Sequence, residues 1–293
     1  MEPIFLQPGE GERITGDVEL GVMLLADTQQ VGIVEVRSKP GGGPPPLHLH
    51  SRHAECFFLL EGELTFRLED RELQVGPDSW VLVPPEVVHT FAVTGDARAH
   101  FFDIHVPSCG FGDFVRGLHS ARNEDELRAV RTAFEQHPPP EYGGADPGGV
   151  LKRTRATAET VTLHGNRIAF LTEADEAGGA LGAIDYTAPL AFDGPPPHIH
   201  REMFDIVVVL EGTIDVQIGE EAHTAGPGAF VLAPPGTPHT FSNPSDEPLR
   251  FLNLYVPGGF ERFFKEGAAA ADDGSPDPAV ASEISSRYDW ERA

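Results

Sequence analysis

The sequence is poor in cysteine, in basic side chains and in long apolar runs. Two cysteines among 293 residues, Cys56 and Cys109, are too few for a disulfide framework. Lysine and arginine number 21 against 46 aspartates and glutamates, a formal net charge of -25. A field of that sign repels phosphate backbones and anionic lipid, so neither nucleic acid nor a membrane surface is expected as a partner. No helix-turn-helix segment precedes either half of the chain, which argues against a DNA-binding regulator. Apolar runs stop short of a membrane span, and the opening MEPIFLQPGEGERI carries neither a basic nor an apolar leader pattern. The expectation is a soluble, cytoplasmic protein.

Glycine (32) and proline (27) are plentiful, and the hydrophobic fraction is 40%. Many short elements joined by tight turns fit this better than long helices. A chain of this length exceeds one ordinary domain, so two are expected, each large enough to bury a core.

One stretch concentrates chemistry: Gly42 to Gly62, GGPPPLHLHSRHAECFFLLEG. His48 and His50 stand at i and i+2, so on an extended chain both imidazoles point to one face. With Glu55 nearby they suit a divalent metal. Glu55 lies an odd number of residues from His50, so a turn or bulge within Ser51–Ala54 must re-aim it. Cys56, next in line, should face away from the metal and pack as a small apolar residue. A hairpin follows, turning at Gly62 into a second arm that alternates as half-buried antiparallel sheet. Pro84-Pro85 then joins two strands, the second carrying His89. Asn123 with Glu126 three residues on marks the start of a helix over about 124–135. Residues 137–149, HPPPEYGGADPGG, read as a linker.

The second half repeats the first. Gly62/Gly212, Gly76/Gly226, Pro84/Pro234 and His89/His239 share the 150-residue offset of His48/His198, His50/His200 and Glu55/Asp205. A gapless offset of this kind is a tandem duplication, and each copy must be a structural unit. The reading divides the chain into 1–145, 146–266 and a mobile acidic tail, 267–293. Tyr288 and Trp290 are the tail's candidates for docking, either on the body or as a lid over a mouth.

These residues resemble the two signatures of the cupin superfamily. The first, Gly-x5-His-x-His-x(3,4)-Glu-x6-Gly, matches Gly42, His48, His50, Glu55 and Gly62. The second, Gly-x5-Pro-x-Gly-x2-His-x3-Asn, matches Gly228, Pro234, Gly236, His239 and Asn243. The first half departs from it, with Glu86 and Val93 in place of the last glycine and the asparagine. The resemblance implies an all-β bicupin, two tandem antiparallel β-barrels of jelly-roll type with a few short helices after the barrels. It also implies one divalent metal ion per barrel, held by His48, His50, Glu55 and His89 in the first copy and by His198, His200, Asp205 and His239 in the second. Iron, manganese, nickel, cobalt, copper or zinc would each accept such donors. Asp205 is a methylene shorter than the family's glutamate, and Glu202 is its alternative carboxylate. His53, His100, His105, His119, His137, His164 and His223 stand outside the motif and are read as structural, surface or outer-shell residues.

Among cupins the chain resembles the quercetin 2,3-dioxygenase group, which opens a flavonol ring with dioxygen and loss of carbon monoxide. That implies a small-molecule enol or phenol and dioxygen as partners, with Glu55 as ligand and general base. A non-catalytic small-molecule binder, or a cupin isomerase or oxalate decarboxylase-like lyase, is the alternative. The lyase would need a cationic pocket residue, and the sequence shows none at barrel-facing positions. If alternation continues, Phe57 and Leu59 line the first pocket, and Val207 and Val209 the second, unless they simply fill the interior. Monomer and homodimer both remain open.

Overall fold

A computed structural model describes residues 1–17, 20–41, 44–69, 71–139, 149–271 and 274–293. Gly42, which opens the first signature, and most of the expected linker lie outside these residues. Two compact units emerge, Gly11–Ala156 and Met1–Glu10 together with Thr157–Ala293. The expected boundaries therefore need correcting at both ends.

In the first unit a seven-stranded sheet runs in the order Leu151–Thr154, Ser79–Val83, Ala54–Glu61, Ala99–Val106, Gly32–Ser38, Gly21–Asp27, Glu12–Gly16. Every pairing in it is antiparallel. A smaller sheet of His89–Thr94, Glu63–Leu68 and Glu72–Val75 packs against it. The alternation along Glu63–Leu68 explains that packing, for Leu64, Phe66 and Leu68 are buried where their neighbours are not. They meet Phe57, Leu59, Val81 and Phe101 of the larger sheet in one apolar core. The architecture is thus two sheets packed face to face as a jelly roll, rather than one closed barrel.

The second unit repeats the plan with a seven-stranded and a five-stranded sheet. Its large sheet is completed by Ile4–Leu6, which pairs antiparallel with Phe230–Ala233. In the first unit Leu151–Thr154 fills the matching edge, and Leu151 stands opposite Leu82 as Ile4 stands opposite Leu232. Each edge strand thus belongs to the unit that its position in the chain does not suggest. Apolar residues at both ends, Ile4–Leu6 and Val150–Leu151, find equivalent apolar edges, and no local pattern distinguishes the two.

The hairpin glycine is required by geometry in both copies. Gly62 and Gly212 have φ of 81° and 80°, and a Cβ at Gly62 would stand 2.3 Å from the Arg98 carbonyl oxygen. At the place where the first half departs from the second signature, Glu86 adopts the left-handed φ of 66° that Gly236 holds at 81°. The turn is therefore kept, with a side chain tolerated in it.

The expected helix is Glu124–Ala133, capped by the Asn123 side chain accepting from the Glu126 N–H at 2.9 Å. A preceding helix, Phe111–Ser120, was not expected. The expected mobile tail is instead folded onto the second unit: helix Pro278–Ser285 buries Ile284, and Glu291–Arg292 adds a strand beside His198–Ile199. Among the described residues no helix is long and apolar enough to cross a membrane.

Candidate metal centres

Backbone pairing brings the first four candidate ligands together. His48 and His89 exchange backbone hydrogen bonds, His48 N–H to the His89 carbonyl at 3.0 Å and the reverse at 2.7 Å. Leu49–His50 is a two-residue strand, Ser51–His53 form a turn, and Ala54–Glu61 begins anew, which re-aims Glu55 as the parity argument required. One donor atom from each of His48, His50, Glu55 and His89 lies within 4.8 Å of the others, and all four are buried. Glu55 Oε2 is 2.6 Å from His89 Nε2, 3.1 Å from His50 Nε2 and 3.9 Å from His48 Nε2. His48 and His89 donate Nδ1–H to the carbonyls of Pro46 and Val87, at 2.7 and 2.9 Å. Those bonds fix the tautomer that leaves Nε2 as the free donor.

The second copy gathers His198, His200, Asp205 and His239 in the same way. Its shorter acid opens the cluster: Asp205 Oδ2 is 3.4 Å from His239 Nε2 and 3.6 Å from His200 Nε2. Glu202 is exposed and does not join the group. Asp205 Oδ1 accepts from Asn253 Nδ2 at 2.5 Å, and the Tyr255 hydroxyl donates to Asn253 Oδ1 at 2.6 Å. His198 and His239 again donate to carbonyls, of Pro196 and Thr237. His200 donates Nδ1–H to the Asp289 carbonyl. Trp290 stacks on His198 with centroids 5.7 Å apart. The tail thus orients two of the second centre's histidines.

In both clusters the donors suit a divalent metal ion: three imidazoles converge on one carboxylate, and the buried His200 Nε2 has no hydrogen-bond partner among the described residues. Protonation agrees. Burial drives His48 down to about 3 and His198 to about 4, so both stay neutral and ready to ligate. Burial raises the Glu55 carboxyl, but His89 and His105 nearby, with hydrogen bonds from His50 and His89, outweigh it and hold Glu55 well below the usual range. Burial also lowers His89 and His239, yet Glu55 and Asp205 more than offset this and leave both above the ordinary histidine value.

A sign follows for metal uptake. A ligating imidazole must shed its proton, so protons compete with metal at His89 and His239 below their raised values, whereas His48 and His198 offer no competition above about pH 4. Metal affinity at each centre is expected to fall about tenfold per pH unit on acidification below 6.5. Chelator competition at several pH values measures this, and a flat profile down to pH 5 would contradict it.

Each centre opens on a cavity. The first, about 400 Å³, is lined by His48, His50 and Glu55 and by Phe91, Phe101, Phe111 and Phe114. Arg131 also lines it, with its buried Nε unpaired among the described residues; the sequence shows no cation at a barrel-facing position, and this one enters from the helix Glu124–Ala133. The second, about 520 Å³, carries Tyr186, Phe192, Phe241 and Trp290. Val207 lines it as expected, whereas Phe57, Leu59 and Val209 are packed into the cores.

Two histidines outside the motif stand beside the first centre. His105, in register with Glu55 across paired strands, lies 3.8 Å from Glu55 Oε1 and 3.1 Å from Asp103 Oδ1. His53 packs against His50 with ring centroids 4.1 Å apart and the planes tilted by 32°. Sequence reading set both aside. The alternation in AHFFDIHV puts Asp103 and His105 on one face, but only strand register shows that the face is Glu55's.

Comparison with known proteins agrees with this geometry. The cupin domain pattern matches residues 34–105 and 190–255, once in each copy. A 92-residue stretch is 35% identical to quercetin 2,3-dioxygenase of Bacillus subtilis, covering 30% of this chain and 27% of that protein. Among solved structures, a variant oxalate decarboxylase of Bacillus subtilis superposes with a TM-score of 0.59 at 14% identity, covering 88% of this chain and 78% of the other. AerE from Microcystis aeruginosa gives 0.56 at 13% identity, covering 87% and 97%. At such identities these structures speak for the fold alone. The duplicated signatures, the paired jelly rolls and the two matched domains together make this chain a bicupin of the cupin superfamily.

Proposed function

We propose that the chain is a metal-dependent dioxygenase that takes a planar enol or phenol of the flavonol kind, with the first centre as the reacting site. The observation that carries this reading is the placement of His48, His50, Glu55 and His89 against a cavity lined by four phenylalanines. A flat, largely apolar ring system fits such walls, and its hydroxyl or enolate oxygen would be directed to the polar end. A divalent ion bound there would supply Lewis-acid chemistry and, with a redox-capable metal, a site for dioxygen.

The chain's own residues do the rest. Glu55 Oε2 is held by His50 and His89, while Oε1 faces His105 Nε2 at 3.8 Å, leaving an oxygen able to take the substrate hydroxyl proton. Phe91, Phe101, Phe111 and Phe114 orient the ring and exclude water. Arg131 offers a cation to the substrate's developing anionic charge. The similarity to quercetin 2,3-dioxygenase supports the reaction class, over a minor part of either chain.

Arg131 also favours a second reading, a lyase acting on a small carboxylate at the same centre. One experiment separates them. Protein reloaded with iron, manganese, cobalt, nickel, copper or zinc is given flavonols, other enols and oxalate, with dioxygen and released gases followed. Dioxygen uptake matched to flavonol or enol loss is expected. Carbon dioxide from oxalate without net oxygen uptake would replace the dioxygenase with the lyase, and no turnover with any metal would leave a binding protein.

A further inference from the structure

Five of the six histidines in the two centres donate Nδ1–H to a backbone carbonyl: Pro46, Val87, Pro196, Thr237 and Asp289 accept them. His50 is the exception. Its Nε2 meets Glu55, but its Nδ1 is buried with no hydrogen-bond partner among the described residues. Beside it lie two more buried imidazoles with unmet nitrogens: both ring nitrogens of His53, and Nδ1 of His105. The three are 3%, 1% and 2% exposed. One ring nitrogen from each lies within 4.8 Å of the other two.

Four unpartnered polar nitrogens in so small a buried volume carry a desolvation cost that a native core does not retain without a compensating ligand. Phe134 closes over all three rings at centroid distances of 4.9 to 5.4 Å, and Phe111 lies 3.9 Å from His105. His50 and His105 also line the first cavity, which gives an ion its way in. The second copy supplies an internal control. There the 150-residue offset replaces His53 by Met203, His105 by Tyr255 and Phe134 by Ile284, and His200 Nδ1 is satisfied by Asp289. Where the trio is missing, the Nδ1 of the equivalent ligand, His200, is met by a carbonyl, and its unpartnered Nε2 faces the second centre's own carboxylate.

We propose that His50, His53 and His105 form a third metal site, nitrogen-only and suited to a borderline d-block divalent ion, which shares His50 with the first centre. Tetrahedral bonds of about 2.0–2.1 Å place ligand nitrogens roughly 3.4 Å apart, so the rings need only close in by about an ångström. Nitrogen donors without oxygen select zinc, copper, nickel or cobalt over magnesium or calcium. His50 would then bridge two ions as an imidazolate, its remaining N–H proton being released to solvent when the second ion binds.

The test is stoichiometry, read without reference to turnover. Full-length protein is stripped with chelator, reloaded with Zn²⁺, and counted by native mass spectrometry and elemental analysis. Three ions per chain are expected for the wild type, two for His53→Met, two for His48→Ala and one for the double variant. His53→Met borrows the residue that the second copy uses there, so the packing is kept. His105→Phe, expected to hold two ions as well, provides an independent reading of the site. A wild-type count of two that His48→Ala lowers to one overturns the third site and leaves both centres standing, as would be found if water alone met these nitrogens. A His53→Met count equal to the wild type's overturns it too. A count that His48→Ala does not lower overturns the first centre instead.

Discussion

Glu55→Gln is expected to lower turnover by about 10²–10⁴-fold at saturating metal, the range typical of a lost general base. Glutamine keeps the length, the polar contacts to His50 and His89 and an oxygen donor, but cannot take up a proton. The effect should fall on kcat rather than on ring binding, because the phenylalanine walls are untouched. Asp205→Asn is expected to leave turnover near the wild-type level. Asp205 Oδ1 is engaged by Asn253, itself engaged by Tyr255, whereas Glu55 Oε1 faces the more distant His105 Nε2 at 3.8 Å. One carboxylate is thus tied for ligation and the other has an oxygen for chemistry. Oxygen-electrode kinetics beside metal analysis decide the matter. Full turnover by a metal-loaded Glu55→Gln protein would remove the general base from the mechanism.

The eight motif residues could be found in the sequence because their geometry is local or repeated. His48 and His50 share a face by strand parity, the Ser51–His53 turn is demanded by the odd spacing to Glu55, and a constant offset carries the pattern into the second half. Other features depend on contacts between residues far apart in the chain. Asp103 and His105 reach Glu55 only through the register of two strands separated by a hairpin and two further strands. Arg131 enters the first cavity from a helix whose direction the sequence does not state. The edge strands Ile4–Leu6 and Leu151–Thr154 pair with segments far away in the chain, and nothing local to either announces its partner. Tyr288 and Trp290 dock on the body as the sequence suggests, but the rest of the tail is folded rather than mobile for a related reason. Its Ala, Asp, Ser and Pro content resembles that of unfolded segments, yet it is anchored by the buried Ile284 and by Asp289 through hydrogen bonds to partners far away in the chain.

Ending the chain after Tyr288 is expected to weaken metal binding at the second centre by about 10–100-fold, the usual cost of removing an outer partner of a ligating histidine. Five residues would be lost, and most of the described contacts they make bear on His198–Met203 or on Pro197 just before it. The Asp289 carbonyl sets the tautomer of His200, and its carboxylate accepts from the N–H groups of Arg201, Glu202 and Met203 at 2.6, 2.8 and 3.1 Å. Glu291 pairs with Arg201, the Ala293 N–H bonds the Pro197 carbonyl, and Trp290 covers His198. The exposed ion pair alone contributes little. The carbonyl matters more, because without it His200 is free to rotate or to protonate Nε2, and either takes a donor from the metal. Helix Pro278–Ser285 stays in place, so the fold should survive the cut. The measurement is a chelator-competition titration in a His50→Ala background, which removes the donor shared by the first centre and the histidine trio and leaves the second centre to be read alone. Unchanged affinity after truncation would mean that the tail only covers the cavity. Affinity lost by the truncation and largely kept in Trp290→Ala would assign the effect to the Asp289 carbonyl, and with it the reason this copy can hold a metal with the shorter Asp205.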